Sequence, residues 1–335
     1  MKRMGSIIVP SMLAIAMLAG CSANDKQLTV KNPPETAATP QPAATAKPTE
    51  NNKEDVLKQM QLASSQAKEP RELIAFMDTN IPKVDAATAD KMFILLEQYD
   101  ERQLPAINAN LKQLMGQPGA AEKMYALSYP FDFNQIKGDD NLKQWLLNQA
   151  AGKLALDNSH EGDFAWKIDY AALQKAYSPR LSEDMKHYLG VKATEDQKPF
   201  ANDGGLKITR KELGDRLLNI EQYLTKYPSG QKRAEMKVQY SNYMAEYIHG
   251  YRYEAIDEKT MKLMPEVKLS YEQLVKLHPD TKTAQIVKAY LDEINKNKDG
   301  IYKPGEKGVS IIGDPLPNIG SFWEGLNGRI DSLFK

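Results

Sequence analysis

The chain has 335 residues, of which 41% are hydrophobic and 26% are charged, so it is long and apolar enough to bury a sizeable core. Basic and acidic residues are equal in number, at 44 each, and this balance gives no electrostatic basis for nucleic-acid binding. The single cysteine, Cys21, excludes a disulfide within the chain.

The first twenty residues have the anatomy of an export signal. Lys2 and Arg3 form a short basic start, and residues 7–19 are almost wholly apolar. This run is shorter than the ~20 residues that a helix needs to cross a bilayer, which favours a signal peptide over a transmembrane anchor. Residues 1–20 are therefore predicted to be a signal peptide that is removed on export.

The end of the apolar run carries a short motif made of Leu18, Ala19, Gly20 and Cys21. This motif resembles the lipobox of bacterial lipoproteins, in which the chain is cut before the cysteine. The resemblance implies a diacylglyceryl group on Cys21, which anchors the protein to the extracytoplasmic face of the cell membrane. A lipidated Cys21 leaves no thiol for catalysis or for zinc. The alternative is an ordinary secreted protein with a free thiol near its cut site.

Residues 21–52 combine the lipidated cysteine with a linker rich in proline, threonine and alanine. Large apolar side chains are almost absent after Val30, while Pro33, Pro34, Pro40 and Pro42 crowd the middle of the segment. Such a composition cannot bury enough apolar surface to offset its ordering entropy. The linker is therefore predicted to be a disordered tether.

The stretch 53–152 has the apolar spacing of helices and is predicted to be an N-terminal helical part. Val56 and Met60 recur on one face, Pro70 is placed to open a second helix, and Asp85 is placed to cap a third. Pro105 is expected to kink or end that third helix, because proline lacks a backbone N–H and clashes with the preceding turn.

Residues 153–298 begin with a different pattern. Leu154 and Leu156 alternate with polar residues, and Phe164, Trp166 and Ile168 do the same a few residues later. This period of two predicts a pair of strands around the turn residues 158–163. Because an isolated hairpin is marginally stable in water, its apolar face is expected to pack on the helices.

Helical signals then dominate the remainder of residues 153–298. Thr209 and Glu212 have the spacing of a capping box, in which each side chain satisfies a backbone N–H of the other residue. Leu213 and Leu217 follow at helical spacing, and Pro265 is placed to open a later helix. The C-terminal part is therefore predicted to be helical.

Two helix junctions in this part are alike: one holds Lys226, Tyr227 and Pro228, and the other His278 and Pro279. They resemble the corners of tetratricopeptide-like helix pairs in bacterial envelope lipoproteins. Their separation of about 50 residues exceeds the usual ~34, which favours irregular helical hairpins over a regular array. The predicted fold class is mostly α, an irregular helical-hairpin (tetratricopeptide-like) domain with one small β-hairpin.

A broader resemblance covers residues 168–294. It is carried by Pro199 and Phe200, by residues 203–205 and 212–213, and by residues 215–216 together with the Lys226 junction. These segments are similar to a helical module in an uncharacterised family of secreted and lipid-anchored Gram-positive envelope proteins. The resemblance implies no catalytic role.

Residues 299–335 form a Gly/Pro-rich tail followed by an amphipathic stretch. Phe322, Leu326, Ile330 and Leu333 recur at helical spacing. The pattern predicts a closing helix docked on the core, and an exposed partner-binding helix is the alternative.

Calcium is the metal for which the sequence offers a candidate site. Asn295, Asn297, Asp299 and Glu306, with Gly300 between them, match the spacing of an EF-hand loop. Asn replaces the usual first aspartate, and Pro304 stands where the exit helix should begin, so the alternative is a helix end followed by an Asp-Gly turn. We predict no resident metal or cofactor.

Catalytic motifs do not emerge from the residue pattern. None of His160, His187, His249 and His278 stands three or four residues from another, and no serine-hydrolase elbow, P-loop or dinucleotide fingerprint occurs. The hypothesis is a non-enzymatic binding or scaffolding lipoprotein that meets an envelope protein or a cell-wall ligand. Alternatives are an envelope enzyme, such as a wall hydrolase with carboxylates gathered from separate helices, and a solute-binding protein. The last lacks the alternating strand and helix pattern of its class.

Overall fold

Helices make up most of the chain in the computed structural model, which describes residues 50–160, 163–202, 204–250, 252–306 and 311–335. All of them belong to one compact unit that spans Lys47–Lys335. The helices of the first part are α1 (Glu50–Gln66), α2 (Pro70–Asn80), α3 (Ala86–Met115), α4 (Ala120–Tyr125) and α5 (Asp140–Ala151). The mostly α fold class is therefore confirmed.

The starts of the early helices follow the local signals in the sequence. Pro70 opens α2, and the Asp85 side chain accepts a hydrogen bond from Thr88 N at 2.9 Å at the start of α3. Of the two outcomes expected at Pro105, a kink or an end of the third helix, the end does not occur, because α3 continues through it to Met115. Pro105 lies on an exposed face, so water can satisfy the carbonyl of Glu101 that loses its helical partner.

The predicted hairpin is present, with β1 (Leu154–His160) antiparallel to β2 (Asp163–Ile168). Leu154 pairs with Ile168 and Leu156 with Trp166, and all four side chains are buried on one face. The Asn108 side chain on α3 accepts from Trp166 N at 2.7 Å and donates to Trp166 O at 3.0 Å. One side chain thus satisfies the backbone edge of β2 and fixes the hairpin on α3.

Three further antiparallel strand pairs accompany this hairpin among the described residues. They are β3 (Ala201–Asn202) with β4 (Gly205–Leu206), β5 (Ile256–Asp257) with β6 (Lys262–Leu263), and β7 (Tyr302–Pro304) with β8 (Ile312–Pro315). The sequence predicted one hairpin. The other three strand pairs were not predicted, because strands of two to four residues are too short to show a period of two.

The later helices form packed pairs. They are α6 (Tyr170–Tyr177), α7 (Glu183–Gln197), α8 (Arg210–Lys226), α9 (Arg233–His249), the short α10 (Arg252–Ala255), α11 (Pro265–Leu277), α12 (Lys282–Lys296), α13 (Pro317–Glu324) and α14 (Leu326–Leu333). Helix α6 packs on α7, α8 on α9, and α11 on α12. The predicted capping box is half formed. Thr209 Oγ1 accepts from Glu212 N at 3.1 Å, while the Glu212 carboxylate binds Lys198 and Arg216 instead of closing the box.

The core of these pairs is rich in tyrosine. Tyr223, Tyr240, Tyr243 and Tyr247 are all buried, so these rings on α8 and α9 belong to the core, and Tyr247 also borders a small groove between α8 and α11. Their hydroxyls bind neighbouring helices: Tyr240 lies 2.9 Å from Thr283 Oγ1 on α12, and Tyr247 donates to Ser270 O on α11 at 3.2 Å. The rings fill the core, and the hydroxyls join one helix pair to the next.

The C-terminal stretch packs on the core as predicted, but as two helices. Gly325 separates α13 from α14, and Phe322, Leu326 and Ile330 are buried. Phe334 packs edge-on against Tyr240, with ring centroids 4.9 Å apart. This burial favours the docked closing segment over an exposed partner-binding helix. Within the described part of the chain, no helix has the length and hydropathy to cross a membrane.

Candidate functional site

A groove runs between the β1/β2 hairpin and the helices that flank it. Its first half has a volume of about 370 Å³ and is bounded by α3, β2, α6, α7 and α9. Its polar lining residues are Glu101, Lys167, Tyr170, Lys192, Glu195, Asp196 and Gln239. We call this the Glu101 half. Segments far apart in sequence supply these side chains, so the site exists only in the folded chain.

The second half of the groove has a volume of about 400 Å³ and lies along the polar face of the hairpin. Its polar lining residues are Tyr129, Asp157, Lys167, Asp169, Asp196 and Gln197. We call this the Tyr129 half. The two halves share Lys167, Asp196 and Pro199, so they adjoin each other.

Lys167 stands where the two halves meet, held between two carboxylates. Its Nζ lies 2.9 Å from Asp196 Oδ1 and 3.5 Å from Asp157 Oδ2. Burial alone would lower the pKa of Lys167, but the ion pairs with Asp196 and Asp157 outweigh it and raise that pKa. The lysine therefore stays charged and partly neutralises both carboxylates.

Glu195 is bonded through both of its carboxylate oxygens. Oε1 accepts from Phe200 N at 2.9 Å, and Oε2 accepts from Arg216 Nη1 at 2.6 Å and from the Tyr243 hydroxyl at 2.5 Å. The Arg216 side chain is itself buried, and its other nitrogen binds Glu212 Oε1 at 3.0 Å. These contacts hold the Glu195 side chain as a fixed part of the wall.

A buried ionic cluster backs the Glu101 half; we call Glu97, Lys232, Glu235, Tyr170 and Tyr188 the Glu97 cluster. Glu97 is fully buried on α3, forms an ion pair with Lys232, and accepts from the Tyr170 hydroxyl at 2.8 Å. The Tyr188 hydroxyl lies 2.5 Å from Glu97 Oε1 and 2.9 Å from Glu235 Oε1, so its single proton can be donated to either carboxylate but not fully to both at once. The cluster ties α3 to α6, α7 and α9.

Lys192 connects this cluster to the groove. Its Nζ lies 3.0 Å from Glu235 Oε1 and 4.6 Å from the centre of the Tyr170 ring. Burial would raise the pKa of Glu235, but Lys192 and Lys232 outweigh it and lower that pKa. Both glutamates of the cluster therefore face a compensating lysine.

Two further acidic residues on α3 have raised pKa values. Asp100 is buried, and neither of its carboxylate oxygens has a hydrogen-bond partner among the described residues. Burial, with the charge of nearby Glu97, raises the pKa of Asp100 to about 8, so this group is mostly protonated at neutral pH. Glu101 is exposed beside the groove, and partial desolvation with the charge of Glu97 raises its pKa as well.

Aromatic rings continue from the Tyr129 half around the hairpin. Tyr129 is 80% exposed and packs edge-on to Phe131, with ring centroids 5.6 Å apart. Phe131 contacts Phe164 at 5.7 Å, and Phe164 contacts Tyr125 at 5.4 Å. Tyr125 is 59% exposed. An aromatic surface this open is unusual, since large rings normally bury most of their area.

The residues singled out from the sequence lie elsewhere. Cys21 and the linker as far as residue 49 fall outside the described residues, and helix α1 begins within the last three residues of the predicted linker. Asn297 donates to Asn318 Oδ1 at 2.9 Å, Asp299 forms an ion pair with Lys268 at 2.6 Å, and Asn295 and Glu306 are exposed. Strand β7 occupies the position of an EF-hand exit helix. These contacts disfavour calcium binding at the four residues.

The histidines that the structure describes have separate surroundings. His187 Nε2 lies 2.9 Å from Asn219 Oδ1, and His249 packs on Trp323, where burial lowers the pKa of the imidazole. His278 lines a small groove between α8 and α11, and the His160 side chain is outside the described set. No three His, Cys, Asp or Glu residues in the described ranges are grouped to hold a metal ion.

Sequence reasoning missed the groove, although one signal was present. Lys167 occupies a polar position of strand β2, and Asp169 follows that strand as the cap of α6; both line the groove. The partners from α3, α7 and the segment around Tyr129 cannot be read from that strand. No family model, curated protein or solved structure matches the chain.

Proposed function

We propose that this protein is a lipid-tethered binding module of the cell envelope, and that it holds an elongated ligand in the groove between the hairpin and α7. Diacylglyceryl on Cys21 would anchor the chain to the extracytoplasmic face of the membrane. The 21–52 linker would carry the groove away from the membrane surface toward envelope proteins or the cell wall.

The observation that supports binding without catalysis is the engagement of the groove carboxylates. Glu195 is bonded to Arg216, Tyr243 and a backbone N–H, while Asp196 is paired with Lys167. A general base must be free to take a proton, and a nucleophile must reach the substrate. Carboxylates locked in this way present hydrogen-bonding surface instead.

The binding test uses the purified mature protein in mild detergent and isolated cell envelopes, followed by sedimentation of the bound fraction. Lys167→Met removes the positive charge between Asp157 and Asp196. It should weaken binding of the protein to the envelopes about tenfold, which corresponds to a loss of ~1.4 kcal/mol of binding free energy. Lys288→Met is the matched control, because Lys288 forms an exposed pair with Asp292 on α12. Equal retention of the two variants would reject the groove as the binding site.

The tether is tested separately. Mass spectrometry of protein from its native membranes should find a diacylglyceryl thioether at Cys21 as the mature terminus. Cys21→Ser should release the protein from the membrane fraction, whereas Ser22→Ala should leave it anchored. An unmodified sulfur, or a mature terminus at another residue, would refute the lipid anchor.

An envelope hydrolase remains the second candidate, and Glu101 is the residue that favours it. Its raised pKa, beside a groove that also holds Glu195 and Asp196, is the property expected of a general acid. Incubation with isolated cell walls would decide the matter. Release of soluble fragments by the wild-type protein, abolished in Glu101→Gln, would establish an enzyme and overturn the binding proposal.

A further inference from the structure

The Tyr129 half of the groove combines an exposed ring with a polar wall. Tyr129 exposes 80% of its surface and is braced edge-on by Phe131. This half is lined both by Tyr129 and by Asp157, Lys167 and Asp196, so a ligand there would meet an aromatic residue and polar side chains together. An occupant must therefore have both an apolar face and a hydrogen-bonding edge.

The charges of this wall are only partly compensated. Lys167 binds Asp196 at 2.9 Å and Asp157 at 3.5 Å, and Asp169 caps α6 by accepting from Ala172 N at 2.7 Å. One lysine against three aspartates leaves a formal charge of 1 − 3 = −2, so phosphate-bearing polymers are repelled. The same charge attracts a cationic peptide, although Lys167 already pairs with two of the aspartates, so such a peptide is the competing occupant in the titration below.

We propose that the Tyr129 half binds a neutral oligosaccharide. The C–H face of a pyranose ring is apolar and flat enough to stack on Tyr129, while its equatorial hydroxyls point sideways toward Asp157, Asp196 and the Gln197 amide. Hydroxyls can donate to carboxylate oxygens that are already ion-paired, because each oxygen has two acceptor sites. The adjoining Glu101 half offers further subsites.

This inference rests on the proposed binding role and names its ligand class. The experiment is isothermal titration of the full mature chain in detergent with three uncharged probes: the β-1,4-linked tetramer of N-acetylglucosamine, cellotetraose and maltotetraose. Tetralysine serves as the cationic probe. We expect millimolar or tighter binding of at least one neutral tetramer, with an affinity that does not change between low and high salt.

Variants then locate the site. Tyr129→Ala should weaken binding of that tetramer at least tenfold, or ~1.4 kcal/mol, because the stacking face is lost. Tyr129→Phe should retain binding, since the ring remains. Leu277→Ala, which truncates an exposed apolar side chain on α11, should have no effect. Tyr129 is too exposed for its loss to unfold the chain.

Three outcomes would overturn the inference. They are a wild-type protein that binds none of the neutral tetramers at millimolar concentration, salt-sensitive preference for tetralysine, and Tyr129→Ala binding that equals wild type. These outcomes are distinguishable from failure of the proposed function. If the protein stays with the membrane fraction after Cys21→Ser and after removal of the lipid, the lipid tether is refuted, whatever the affinity for glycans.

Discussion

The two halves of the groove differ in the side chains that pack behind them. Behind the Glu101 half lies the Glu97 cluster, in which two glutamates, one lysine and two tyrosine hydroxyls are bonded to one another. The Tyr129 half is walled by the polar face of a hairpin whose other face buries Trp166 against Phe133 and Trp145. Changes behind the first half should therefore alter stability, and changes on the second should alter binding.

The largest expected effect comes from Glu97→Gln. This change leaves the buried Lys232 with Glu235 alone and should lower the free energy of unfolding by roughly 3–5 kcal/mol, as is usual when a buried ion pair is broken. Urea unfolding measures it. Glu54→Gln, in an exposed pair with Lys58, is the control and should change stability by less than about 0.5 kcal/mol. Equal effects would mean that the Glu97 cluster is hydrated.

The next effect is a pH dependence that originates at Asp100. Its pKa of about 8 in the fold lies above the ~3.9 of an unfolded chain, so the folded state binds more protons between these values. This group should therefore lower the free energy of unfolding as pH rises from about 4 to 8, with no further loss above that range.

Asp100→Asn removes this titration and tests the sign. The free energy of unfolding of the variant, relative to that of the wild type, should rise by roughly 2–4 kcal/mol between pH 4 and pH 8. Each pKa unit is worth about 1.4 kcal/mol, and partial hydration of Asp100 reduces the total. Thermal or urea unfolding across this range measures the difference. Asp292→Asn, at an exposed position, should show none. A wild-type curve parallel to that of Asp100→Asn would show that Asp100 is ionised in the fold.

A smaller effect is expected where the hairpin meets α3. Asn108→Ala removes both hydrogen bonds to the Trp166 backbone and should lower the free energy of unfolding by about 1–2 kcal/mol. Asn110→Ala on the same helix is the matched control, since Asn110 is exposed. Because the hairpin carries Asp157 and Lys167, ligand affinity should fall in Asn108→Ala only. Indistinguishable unfolding curves for the two variants would argue against Asn108 as the anchor of the hairpin.

The smallest stability effect should come from the aromatic rings at the surface. Tyr125→Ala removes a side chain that is 59% exposed and should shift the free energy of unfolding by no more than about 0.5 kcal/mol. Differential scanning calorimetry is sensitive enough to test this limit. A loss of several kcal/mol would show that the rings stabilise the hairpin, and the contrast between the two halves would disappear.

Local signals were the predictable part of the fold. Pro70, Asp85 and Thr209 each begin or cap a helix in the predicted place, and the alternation around Trp166 produced the expected hairpin. Such signals act over a few residues, so they survive in any tertiary context. The second half of the capping box, from Glu212, does not form because Lys198 and Arg216, which folding brings near, bind the same carboxylate.

By itself the sequence determined the mostly helical class and the polar face of the hairpin, because these depend on composition and on short periods; the export signal and the tether stay predictions. Only the tertiary structure decided that this face would become a groove, that Glu195 and Asp196 would be bonded to Arg216 and Lys167, and that Glu97 would be buried with Lys232. Ion pairs between segments up to 135 residues apart (232 − 97) leave no periodic trace along the chain, since their energy depends on distances that exist only after folding.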